Sequence, residues 1–187
     1  MDNLKDNTTG KRKISTIQMT TDAMLAAMCA LLGYFAIDIV NFKLTFESIP
    51  VLLAALLFGP VDGTCVGLIG TFLYQLLRYG VEASTPLWVI PYGIIGLVCG
   101  LYAKKWSYNN SDKQIKFIVG SMEMLIFILN TIALYFYAGM IGRVGSEFVL
   151  SSILPRVVVA VAKAIGFGFL MPPLLFALHK YKRFRQK

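Results

Sequence analysis

Arg156 and Lys163 stand seven residues apart inside an otherwise apolar stretch, a spacing that sets both on one helix face about two turns apart. A charge at the centre of a bilayer costs about 2.5–3.5 kcal/mol on insertion scales, so ionisable residues within apolar runs are candidates for binding or transport. Asn130, in the preceding apolar stretch, adds a hydrogen-bonding amide, and Trp88, at the head of an earlier one, adds an aromatic surface. Together the four suit a cavity for an anionic, partly aromatic ligand. The competing reading keeps Arg156 at an interface with its stem snorkelling, and pairs Lys163 with Glu123 or Asp38. Asn130 is then an interhelical hydrogen-bonding residue and Trp88 an interfacial anchor.

No catalytic residues are expected. The chain has no His-Glu-x-x-His pair, Gly-x-Ser-x-Gly elbow, Walker loop or paired acids on one helix. Cys29, Cys65 and Cys99 are scattered singly and read as buried thiols, and His179 lies among Lys and Arg with no acidic or Cys cluster near it, so no metal site is expected. Transport without an ATP-binding motif requires ion coupling or a borrowed ATPase. Asp38, Glu123 and Lys163 are the groups available for ion coupling.

The elements that must hold these residues are hydrophobic helices. Of the 187 residues, 57% are hydrophobic and the mean hydropathy is +0.66, well above the roughly 45–50% apolar content of a soluble domain. An all-α membrane protein follows, with six transmembrane helices in one bundle over residues 20–180. The spans are expected at about 20–40, 48–60, 62–78, 87–103, 115–138 and 148–178. Residues 1–19 read as a mobile cytoplasmic tail and 181–187 as a basic one. Lys11-Arg12-Lys13 imitates the start of a secretory leader, but the apolar run that follows is long enough to span. Gly59-Pro60 separates the second and third spans, and Gly93, Gly96 and Gly100 share a face of the fourth that suits close packing.

Charge sorting supports an even number of spans. Lys- and Arg-rich segments fall on one side, taken as cytoplasmic and holding both termini, while the opposite loops balance Lys43 with Glu47, Arg78 with Glu82, and Arg143 with Glu147. The net charge of +8 therefore reads as membrane orientation and not as nucleic-acid binding. The first outer loop, with Phe42, Lys43 and Phe46, and the third, with Tyr79 and Gly80, are candidate gating loops over the outer mouth.

Two stretches resemble a known family. Ile49-Pro50-Val51 through Phe58-Gly59-Pro60-Val61-Asp62-Gly63, with Gly67 and Gly70, and Leu129-Asn130-Thr131 with Leu154-Pro155-Arg156 resemble the substrate-binding (S) subunits of energy-coupling factor (ECF) vitamin transporters, of the folate-type branch. The resemblance runs over roughly residues 16–180. It implies a vitamin-binding subunit in the plasma membrane, not an enzyme, that captures folate or a related vitamin outside. Its partners would be a transmembrane scaffold subunit and two cytoplasmic ATPases; this chain would bind no cofactor, and ATP would be used by those partners. Trp88 would flank a pterin-like ring, Asn130 would hydrogen-bond it, Arg156 would meet its anionic groups, and Lys163 would lie below Arg156. Ala23, Ala26, Ala27 and Ala30 resemble the small-residue face that docks on the scaffold subunit. Thr71 replaces an acid expected in relatives, which leaves pantothenate and a pyrimidine precursor open as alternative ligands.

Overall fold

A computed structural model describes residues 16–39, 42–106, 111–140, 142 and 146–184. Most of the two expected tails (1–15 and 185–187), part of the 104–113 connection and Arg143 lie outside the described residues. Among the described residues, six helices follow the apolar runs: α1 Thr16–Tyr34, α2 Ser48–Phe58, α3 Pro60–Tyr79, α4 Thr85–Lys105, α5 Asp112–Met140 and α6 Ser146–Phe184. Between α1 and α2 a short antiparallel hairpin pairs β1 Ile37–Ile39 with β2 Phe42–Leu44, placing Asp38 opposite Lys43. The first helix therefore stops at Tyr34, short of the expected residue 40, because the chain turns into this hairpin. Asp38 belongs to the hairpin and not to a span.

Four helices, α1, α4, α5 and the Ile153–Leu178 part of α6, are long and apolar enough to cross a membrane, which makes the chain a multi-pass membrane protein. The other two differ from that pattern for separate reasons. With 20 residues α3 has the length to cross, but Asp62, Thr64, Thr71, Gln75 and Arg78 dilute its apolar character. With 11 residues α2 rises only about 16 Å, about half the 30 Å hydrocarbon core. The expected second span over 48–60 is thus a half-length helix.

That short helix is the core of the molecule. Val51, Leu52, Ala54 and Ala55 are completely buried, as befits a helix that is apolar on every side. It packs on α1, α3, α4 and α6, and around it α1 lies on α3, α3 on α4, α4 on α5 and α5 on α6. Large apolar side chains such as Met24, Ile69, Leu101, Phe117, Phe136 and Phe169 point outward, as a lipid-facing surface requires.

Small residues set the helix spacing. Gly59 adopts φ 110°, a conformation that favours glycine, and so reverses the chain between α2 and α3. A Cβ at Gly96 of α4 would run into the Gly63 carbonyl of α3, and one at Gly63 would come within 2.6 Å of the Ala55 Cβ on α2. Three helices therefore approach at one level through two glycines. Farther along α3, Thr71 lies 3.9 Å from the Cys29 sulfur, which also donates to the Glu47 carbonyl at 3.3 Å. The start of α2 is thus level with the middle of α3, and the bundle axis beyond it holds no helix.

Gly96→Ala should lower the unfolding temperature in detergent by the equivalent of about 1–3 kcal/mol, the usual cost of overpacking. Gly166→Ala, in α6 where an added Cβ meets nothing within 4 Å, should be neutral or stabilising. Equal effects at the two sites would show that the α3–α4 approach does not limit stability.

Candidate functional site

The space beyond the start of α2 is a cavity of about 330 Å³, at the low end of the size range of small-molecule pockets. Each wall follows from helical periodicity. On α5, Glu123, Ile126, Phe127, Asn130 and Tyr137 recur at the three-, four- and seven-residue intervals of one face; on α6, Arg156, Val159, Ala160 and Lys163 do the same. Tyr74, Gln75 and Tyr79 come from the last turns of α3, Glu82 and Ser84 from the connection to α4, and Trp88 and Tyr92 from the first turns of α4. Thr45 and Glu47, which lead into α2, form the floor.

The four residues expected at a binding site, Trp88, Asn130, Arg156 and Lys163, all line this one cavity. Trp88 meets Tyr137 edge to face with ring centres 6.0 Å apart, and Tyr74 meets Tyr79 at 6.1 Å, so paired aromatic rings stand on two sides. Lys163 Nζ lies 3.0 Å from Glu123 Oε2 in an ion pair whose carboxylate is 1% exposed and whose lysine is 11% exposed. The two readings of Lys163 are therefore compatible: it pairs with Glu123 and it faces the cavity. Arg156 also lines the space, and among the described residues no carboxylate pairs with it.

Carboxylates are the part that sequence reasoning missed. Glu47, expected to balance a loop charge, is only 3% exposed. It sits at the N-cap of α2 without capping it, and its Oε1 accepts a hydrogen bond from the Tyr92 hydroxyl instead. Glu82 accepts from the Ser84 hydroxyl at 3.1 Å on the cavity wall, while Arg78, its expected counterweight, donates to the Tyr34 carbonyl at 2.8 Å and ties α1 to α3. A signal for Glu47 existed in its position directly before a wholly apolar helix. Tyr92 had none.

The other expected positions divide. Tyr79 lines the cavity and Gly80, at φ 78°, ends α3 beside it. Phe46 packs on Phe167 of α6 with ring centres 5.9 Å apart. Phe42 and Lys43 belong to β2, which lies beside α6. Of the four alanines on α1, Ala26 and Ala30 are buried, and only Ala23 and Ala27 remain at the surface. Thr71 lies against Cys29 and is not among the residues that line the cavity.

Residues 13–180 match the family described as ECF-type riboflavin transporter, S component. The chain belongs to that family. The matching family is thus the riboflavin type and not the folate-type branch. Among curated proteins, it is 33% identical over 79 residues to a UPF0397 protein of Lacticaseibacillus casei, covering 42% of this chain and 41% of that one. It is 30% identical over 105 residues to a UPF0397 protein of Enterococcus faecalis, covering 54% and 56%. A UPF0397 protein of Lactobacillus delbrueckii subsp. bulgaricus is 28% identical over 146 residues, 75% of this chain and 73% of that protein. The chain thus spans about two fifths to three quarters of the length of these relatives.

Lys163→Met should leave the Glu123 carboxylate buried without its ion-pair partner, at a cost of about 3–5 kcal/mol. Thermal unfolding in detergent should show that loss, and adding Glu123→Gln to the same protein should recover most of it. A double variant no more stable than the single one would mean that the pair does not hold α5 to α6.

Proposed function

We propose that this S-component family member is the vitamin-binding subunit of an ECF-type transporter, and that its cavity takes a flat heteroaromatic vitamin without net negative charge, riboflavin first. The observation that carries this reading is the cavity wall, where aromatic rings on α3, α4 and α5 surround three carboxylates and two cations. Rings of that kind hold a planar ligand, and charged groups at fixed positions orient it. A folate would bring its own carboxylates to Glu47, Glu82 and Glu123. Of the two cations that an anionic ligand such as folate could meet, Lys163 is already engaged by Glu123. Arg156 supports folate as the second reading, since its guanidinium remains available for one anionic group.

The partners proposed are a transmembrane scaffold subunit and two cytoplasmic ATPases, which would use the ATP. Ala23 and Ala27, on the exposed face of α1, are the small residues that could meet the scaffold. The proposed orientation places the cavity outside and both termini in the cytoplasm of a plasma-membrane protein. It rests on Lys104 and Lys105 at the end of α4 and Lys113 and Lys116 at the start of α5, the ends of those helices opposite their cavity-lining residues.

Purified protein should unfold at a higher temperature with riboflavin than without, and folate should shift it less, because a ligand bound only to the folded state stabilises it by mass action. Trp88 lines the cavity and Trp106 does not, so ligand should quench fluorescence in the native protein and not in Trp88→Phe. Trp88→Ala should weaken binding about tenfold or more. A larger shift with folate than with riboflavin would reverse the assignment.

Sidedness is testable by itself. In a variant freed of native cysteines, Val81→Cys beside the cavity should react with an impermeant maleimide from outside intact cells. Ser111→Cys should react only after lysis; the opposite pattern would invert the topology.

A further inference from the structure

Glu123 and Lys163 meet in the cavity about 10 Å along their helices from Asn130 and Arg156, by the rise of seven residues. Glu123 Oε2 faces the Lys163 ammonium at 3.0 Å. Both of its oxygens are buried and neither has a hydrogen-bond partner among the described residues, so Oε2 is met by the ion pair alone and Oε1 by nothing. A carboxylate accepts at both oxygens, and a buried acceptor left unmade is costly. Because Glu123 lines the cavity, a ligand in it can supply the missing donor. Lys163 carries three N–H donors, and its Nζ also stands 5.4 Å from the centre of the Phe167 ring. The pair therefore offers the cavity an acceptor and a donor side by side.

That arrangement complements one kind of molecular edge. A carboxylate or phosphate would bring a second anion to Glu123, and an ammonium would compete with Lys163 for the same oxygens. A cyclic amide, with a ring N–H next to its carbonyl, satisfies both groups at once while staying neutral. Asn130 lies on the same face of α5, and its Oδ1 is likewise buried without a partner, so the polar strip continues along the wall.

We infer that Glu123 is a specificity-determining residue of this cavity: its Oε1 accepts a hydrogen bond from the N–H of a ring lactam or imide whose adjacent carbonyl accepts from Lys163. The inference rests on the heteroaromatic binding role proposed above and narrows it to ligands with that edge. No proton changes hands.

The test uses the unaltered protein in detergent, so the folding of a variant does not enter. Calorimetric affinities are measured for riboflavin, folate and a simple pyrimidine lactam, each beside its counterpart methylated at the lactam nitrogen. A site built to hydrogen-bond an N–H rejects an analogue that lacks it far more strongly than a merely apolar pocket would. The methylated member of any pair that binds should be weaker by about a hundredfold or more. A parent and its methylated counterpart binding within about threefold of each other would overturn the role of Glu123 and leave the vitamin-binding reading intact. Silence from riboflavin, with discrimination in the folate or pyrimidine pair, would support Glu123 and remove riboflavin. Binding by none of the six compounds would overturn both.

Discussion

A helix of 11 residues surrounded by helices of 19 to 39 cannot fill the axis of its bundle. It rises about 16 Å where α3 rises about 30 Å, and the remainder of the axis becomes the cavity. The position of the gap is fixed at the other end, where Gly59 reverses the chain and Gly63 and Gly96 let α2, α3 and α4 touch almost backbone to backbone. With that end closed, the start of α2 can reach only the level of Thr71 and Cys29. The hairpin between α1 and α2 follows from the same mismatch, because the chain must return from the end of a full-length helix to the middle of the bundle.

Surrounding lipid explains why the polar groups gather there. A carboxylate facing hydrocarbon would be far costlier than one facing a protein donor, and the cavity supplies such donors: Tyr92 to Glu47, Ser84 to Glu82, and Lys163 to Glu123. Two of these pairs hold separate elements in register, since Tyr92 belongs to α4, Glu47 to the lead-in of α2, and Glu123 and Lys163 to α5 and α6. The charges that line the cavity therefore also fix its wall. Aromatic rings fill the rest of the lining, where they give apolar contact without adding a charge that would need a partner.

Five of the six helices were legible at nearly full length, because a run of apolar residues of spanning length leaves few alternatives. Trp88, Asn130, Arg156 and Lys163 were legible as a group for a related reason: in so apolar a chain, a polar residue in or at the edge of a span stands out. What was hidden depends on depth. Glu47 was placed in an outer loop because it adjoins polar residues in sequence, whereas a short α2 draws it to the middle of the bundle. Hydropathy reads the length of an apolar run and not the level at which the run begins. Tyr92 was hidden for the opposite reason, since a tyrosine among apolar residues looks like ordinary packing until its hydroxyl is found against a carboxylate.

The alanines of α1 show how a sequence motif can be read correctly in composition and still be divided by the fold. Ala23, Ala26, Ala27 and Ala30 lie on adjoining ridges, and small side chains there permit close approach. Two surfaces compete for them. Gly70 of α3 lies so close to α1 that an added Cβ would come within 2.6 Å of the Cys29 Cβ and 2.9 Å of the Ala26 carbonyl, so one ridge is consumed inside the bundle. Ala23 and Ala27 stay outside, beside the exposed Met24 and Met28. A partner helix approaching this face would thus meet two alanines flanked by flexible thioethers, which adapt to an irregular surface. The buried ridge holds α1 against the helix that carries Tyr74 and Tyr79 into the cavity, so one face of α1 supports the cavity wall while the other stays at the surface.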